Sequence, residues 1–179
     1  MDIEIIKAQQ INAQTNIRII NRMLSRKQIR YLIFTPMKPV PKNINWTDEE
    51  INRKKNVEKI PVRNIAGIQR FEGFINWYEI YRKYTKVPAG DRKDPYSMLG
   101  KVSIDKLDKL LNVVCKKGIS GFKDIIMNPE FNDFPYLIQN GQNKEYYVSS
   151  DGSHRVFVAK LIGLEYIYGK VDRYYSLAQ

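Results

Sequence analysis

Apolar residues recur along this chain in blocks that change period. Ile3, Ile6, Ala13, Ile17, Ile20 and Leu24 fall three, four or seven apart, which predicts one long amphipathic helix over Ile3 to Arg26. Ile29 to Phe34 reads as a short strand, and Pro36, Pro39 and Pro41 then force an extended connector. Thr47 and Glu50 form a capping box at the start of a short helix. Val57 to Ile65 alternates as a strand does, ending near Gly67, and Phe71 to Lys86 returns to helical spacing. Val87 to Gly100 is a turn-rich segment broken by Pro88, Gly90, Pro95 and Gly100. Ser103 caps a further helix whose buried face is Ile104, Leu107, Leu110, Leu111 and Val114, with Gly118 as its stop. A short strand over Asp124 to Met127 follows. Pro135 to Gln139 and Lys144 to Ser149 then flank an Asn-Gly turn, which predicts a hairpin. The pattern closes with a helix over residues 152–162 and a strand from Tyr166 to Val171.

Composition narrows the class. A chain of 179 residues with 43% apolar content can bury one core, with or without an extension. No apolar run approaches the roughly 20 residues of a membrane span, and no secretory signal is visible at the start. A single cysteine, Cys115, excludes an internal disulfide framework and suits a reducing cytoplasm. The net charge is +11, and residues 1–100 hold 19 lysines and arginines against 10 acids. Such an excess favours polyanions, nucleic acid among them, although solubility alone also accounts for it.

The densest chemistry lies in Asp151-Gly152-Ser153-His154-Arg155, between the last hairpin strand and the last helix. A helix start offers backbone N–H groups without internal partners and a partial positive charge. Gly152 allows close approach of backbone, Ser153 and His154 can donate, and Arg155 adds a planar charged fork suited to phosphate oxygens. Asp151 is the candidate to hold a metal ion or orient a substrate hydroxyl; its plainer role is to cap the helix. His154 is the only histidine, so a zinc site is not expected, and a structural hydrogen bond competes with a donor role. Arg155 has a salt bridge to Asp151 or Glu165 as its plainer alternative. Glu72, in a loop flanked by Gly67 and Gly73, is the candidate second acid.

Two basic groups are candidates for nucleic acid. Arg18, Arg22 and Arg26 repeat every four residues along the first helix. Arg82 and Lys83 stand beside Phe74, Trp77, Tyr78, Tyr81 and Tyr84, rings that either stack bases or fill a core.

The order helix, Gly118-Ile119, strand, hairpin, Asp-Gly-Ser-His-Arg turn, Ala159, Gly163 and final strand resembles the ParB/sulfiredoxin superfamily over residues 101–172. Gly152 and Arg155 match its Gly-x-x-Arg turn, and the Asp-Gly-x-His-Arg run is similar to that of DGQHR-domain proteins. Ile60-Pro61-Val62-Arg63-Asn64-Ile65 resembles the first strand of the partition-protein version, which extends the likeness toward residue 57. Ser153 stands where sulfiredoxin has its cysteine, so sulfinic-acid reduction is not implied. Only eight residues follow the last strand, so the helix-turn-helix of the partition proteins is not expected.

The resemblance implies an α/β (α+β) fold with a small mixed sheet and packed helices. A basic helical extension over 1–56 would precede a domain over 57–179. It implies ATP or CTP, with Mg2+, held at the Asp151–Arg155 turn, in a protein acting on or beside DNA or RNA, as an NTPase or in a nuclease-related role. An ATP-dependent small-molecule kinase of the same fold is the alternative, with Asp151 or Glu72 accepting a hydroxyl proton. A non-enzymatic interaction protein without nucleotide is the third.

Overall fold

The computed structural model describes residues 3–42, 57–88, 90–93, 102–128, 134–140, 143–149 and 151–174. It is a mixed α+β protein with a five-stranded sheet in the order β1-β5-β3-β4-β2. The strands are β1 (Val57–Pro61), β2 (Ile65–Ile68), β3 (Tyr136–Asn140), β4 (Tyr146–Val148) and β5 (Tyr166–Tyr174). β5 runs antiparallel to β1 and parallel to β3, β3 and β4 form the predicted hairpin, and β2 joins β4 in parallel. The helices among the described residues are α1 (Ile3–Met23), α2 (Arg26–Phe34), α3 (Trp77–Lys86), α4 (Ile104–Ile126) and α5 (Ser153–Leu161).

Strand alternation divides the sheet into two faces. Ile60, Ile65, Ile68, Leu137, Val148, Ile167 and Val171 point into the main core, which the helices close with Ile20, Leu32, Trp77, Leu107, Leu111 and Phe157. α1 and α2 thus bury apolar residues in the same core as the sheet. On the other face Ile138, Tyr147 and Tyr174 pack with Val40, so the chain around Val40 covers the β2–β4 end. No described helix is long and apolar enough to cross a membrane.

Several elements differ from the sequence pattern. Ile29–Phe34 belongs to α2, not to a strand. Ser25 caps that helix by accepting from the Gln28 N–H at 3.1 Å. The Gln28 side-chain amide then donates to the carbonyls of Lys160 and Leu161 at 2.7 and 3.2 Å, closing the end of α5. This tertiary clamp overrides a weak β-preference. The segment around Asp124 is also helical: Gly118 breaks α4 with φ 69° and ψ −175°, but the chain re-enters a helix that runs to Ile126. Val57 to Ile65 is two strands split by a single 3-10 turn over Val62–Asn64. The helix expected from Phe71 begins at Trp77, where Asn76 accepts from the Glu79 N–H at 2.9 Å; Phe71 closes a separate 3-10 turn. The Thr47 capping box and residues 94–100 of the turn-rich segment lie outside the described residues.

Candidate functional site

The predicted turn is at the floor of an open cleft of about 340 Å3, lined by Lys106, Lys109, Leu110 and residues 151–155. Two elements make it. α5 supplies its first turn, and α4 supplies the facing wall, whose Lys106 and Lys109 lie one turn apart and exposed.

Gly152, not Asp151, occupies the N-cap of α5. Its φ is 85°, a left-handed conformation, and the cap carries no side-chain hydrogen bond. The first backbone bond into the helix is Val156 N–H to the Gly152 carbonyl at 2.8 Å. Gly152 has no side-chain oxygen to offer the amides ahead of that bond. A Cβ at Gly152 would overlap Pro135, standing 2.8 Å from its Cα. The fold itself therefore requires this glycine. Asp151 is exposed, and its carbonyl accepts from the Tyr136 N–H at 3.4 Å, which joins the turn to β3. Ser153 is buried and Arg155 half-buried at the lip.

His154 departs from the donor role. Its Nε2 accepts from the Ser103 N–H at 3.0 Å, and its ring packs edge-on against Phe71 at 5.8 Å. Burial, then the charges of Lys106 and Arg70, lower its pKa to about 4. It is a neutral acceptor at physiological pH, so it adds no charge to a phosphate. Its contribution is placement: Ser103 caps α4, accepting from the Lys106 N–H at 3.3 Å, so His154 ties the α5 turn to the start of the lysine-bearing helix.

A pH prediction follows. The folded pKa lies below the usual value near 6.5, so the unfolded chain takes up the proton first as pH falls. The stabilisation is complete above about 6.5 and is lost toward pH 4, by on the order of 3 kcal/mol. Urea titrations of wild type and His154→Gln between pH 6.5 and 5, above the carboxylate range, should show a decline in the first and a flatter line in the second. Parallel lines would contradict the assignment.

The remaining candidates do not gather at the cleft. Glu72 accepts from the Val40 N–H at 3.2 Å and is not among the residues that line the cleft. Arg18 and Arg22 are exposed on α1, but Arg26 opens α2 after the break at Ser25, so the three do not form one helical stripe. Trp77, Tyr81 and Tyr84 are core residues exposed by 2% or less, so of the two readings of these rings the core face is the one found. Beside them Arg82 is exposed, and Lys83 pairs with Glu79 at 3.2 Å and covers the Phe74 ring at 4.8 Å.

Two features escaped the sequence reading. Lys106 and Lys109 carried a signal, an i, i+3 lysine pair just inside a Ser-capped helix. Lys160 is 1% exposed, with Nζ donating to the carbonyls of Val62 and Ile65 and standing 4.2 Å over the Trp77 ring. Its signal was a lone lysine inside the apolar run Val156–Leu161. Burial lowers its pKa to about 7.

Asp151 is the one carboxylate among the cleft-lining residues, and no group of three metal-ligating side chains occurs among the described residues. The cleft thus sets Lys106 and Lys109 of α4 across from Arg155 and the first turn of α5. Comparison with protein-family models, with curated proteins and with solved structures finds no match to this chain.

Proposed function

We propose that this protein binds a nucleoside triphosphate in the α4–α5 cleft and acts on or beside nucleic acid, in the manner of the ParB/sulfiredoxin superfamily that its C-terminal portion resembles. The observation carrying this reading is that Lys106 and Lys109 face the opening turn of α5, with Arg155 beside it, across a space of about 340 Å3. That volume falls within the range of small-molecule sites, about 300–1,000 Å3. Three side-chain cations and the amides of the first turn offer charge-assisted hydrogen bonds to several phosphate oxygens at once. Lys109 also pairs with Asp105 at 2.7 Å, an exposed pair of small worth that a phosphate displaces easily. Asp151 alone cannot hold a metal ion. One carboxylate does suffice for Mg2+ arriving on nucleotide phosphates, where the ion would neutralise charge.

Thermal unfolding with ATP, CTP and GTP, with and without Mg2+, tests the reading. A ligand at about 100 times its Kd stabilises the native state by about 2.7 kcal/mol, which raises Tm by about 5–10 °C in a chain of this size. Arg155→Ala and the double variant Lys106→Ala/Lys109→Ala should each abolish the rise. No shift with any nucleotide, or an equal shift in these variants, would reject the cleft as the site.

A further inference from the structure

The sheet face opposite the main core is dressed with tyrosines and lysines along β1, β5 and the start of β3. Strand register places Lys59 opposite Tyr168, Pro61 opposite Tyr166, and Tyr136 opposite Lys170, all on this face by alternation. Lys59 Nζ stands 3.9 Å over the Tyr166 ring, and Lys170 Nζ 5.4 Å over the Tyr136 ring. Tyr166 and Tyr168 meet edge to face at 5.9 Å. Lys59 is exposed, and Tyr136, Tyr166, Tyr168 and Lys170 are half-exposed, whereas the other end of the face is closed by Val40. At the β1 end the face opens into a second cleft of about 390 Å3, lined by Lys59, Pro61, Arg63, Leu164, Glu165 and Tyr166.

We infer that this face is a binding platform for single-stranded nucleic acid. Three properties favour that occupant. Rings in a row on an open sheet offer π-surfaces for unpaired bases, which stack with little regard to sequence. Cations interleaved with the rings meet the phosphates between bases. Lys59 and Lys170 now lie over rings on flexible stems, so a stacking base takes the ring and releases the ammonium to the backbone. The adjoining cleft, with Arg63 at its wall, has room for one base and its sugar. Among the described residues, Glu165 and Asp172 are acids bordering this surface, against Lys59, Arg63 and Lys170. The protein's overall charge of +11 adds a long-range attraction.

The platform rests on the nucleic-acid half of the proposed function, but it is separate from the α4–α5 cleft, so nucleotide binding there fails independently. The test is fluorescence anisotropy of a labelled oligothymidylate of about 15 nucleotides, against wild type and variants, across a range of salt. Tyr166→Leu/Tyr168→Leu should weaken binding by about ten-fold or more, and Tyr166→Phe/Tyr168→Phe should retain it, because stacking needs the ring and not the hydroxyl. Lys59→Gln/Lys170→Gln should lower the slope of log K against log salt by about 1.4. Lys106→Ala/Lys109→Ala should bind the oligonucleotide as wild type does, even though it loses nucleotide. A duplex should bind less tightly than the single strand, since its bases are already stacked. Several results would overturn the platform: no binding by wild type, duplex binding as tight as single-strand binding, or full affinity in the leucine variant. Polyglutamate displacing the oligonucleotide at equal charge concentration would also overturn it, marking a docking surface for acidic protein instead. Should the leucine variant not fold, the lysine variant decides, and an unchanged salt slope rejects the proposal.

Discussion

Gly152→Ala is expected to destabilise the protein by about 2–6 kcal/mol in urea unfolding, among the largest effects of any single substitution here. Two costs add. The backbone at this position has φ 85°, which an L side chain adopts only under strain of about 1–3 kcal/mol. The new methyl also overlaps Pro135, whose Cα and ring are fixed at the start of β3 by the Lys170 N–H bond to the Pro135 carbonyl at 2.9 Å. Overpacking against rigid backbone costs about 1–3 kcal/mol more. Gly73→Ala serves as the comparison: its φ is 97°, and nothing lies within 4 Å of the added Cβ. It should show the backbone cost alone. If Gly152→Ala proved no worse than Gly73→Ala, the packing of the turn against Pro135 would be wrong. The substitution should also remove nucleotide stabilisation, since moving this turn moves the amides of the cleft.

Stability should rise with pH between about 7 and 9.5 by about 3 kcal/mol, and Lys160→Met should erase the rise. Lys160 is enclosed by the carbonyls of Val62 and Ile65 and by the rings of Trp77 and Tyr31, and among the described residues its Nζ forms no salt bridge. Burial brings its folded pKa down to about 7, below the ordinary lysine value near 10.4. Across that window the unfolded chain keeps its proton and the folded chain releases it, so raising pH favours folding. At pH 7 and below the protein bears the cost of a desolvated ammonium, and methionine relieves it while filling the same space. A thiol and three phenols oppose the trend at its upper end. Burial pushes the Cys115 thiol up, and it raises the phenols of Tyr81, Tyr84 and Tyr147, so stability falls again above about pH 9–10. Denaturant midpoints at pH 7, 8 and 9 for both proteins check this. Equal slopes would mean that Lys160 keeps its proton in the fold.

How far the sequence could be read varies by element, for physical reasons. α1, the first part of α4, the β3–β4 hairpin, α5 and β5 were legible because each carries its own period, cap or turn residues. Ile29–Phe34 was misread because its alternation is short and its helix is held from outside, by Gln28 clamped to the end of α5. Asp124–Met127 was misread because Gly118 ends one helical run without ending the helical path. The aromatic run over Trp77–Tyr84 looked the same as a stacking stripe and as a core face. Burial alone separates the two, and burial is a property of the whole fold. Of the candidate site, the turn was legible because residues 151–155 are consecutive. Lys106 and Lys109 lie about 45 residues earlier in the chain and join the turn only when α4 packs on α5.

By itself, then, the sequence determined the mixed α+β class, the positive charge and the presence of a helix start at residues 151–155. These depend on neighbours within a few residues, and local sterics and hydrogen bonding settle them. Tertiary structure alone decided that His154 is an acceptor rather than a charge, that Glu72 serves Val40, and that Lys160 is buried. It also decided that the cations meeting the turn are lysines of another helix. Each of these depends on which distant groups exclude water around a side chain, and that exclusion exists only once the layers have packed.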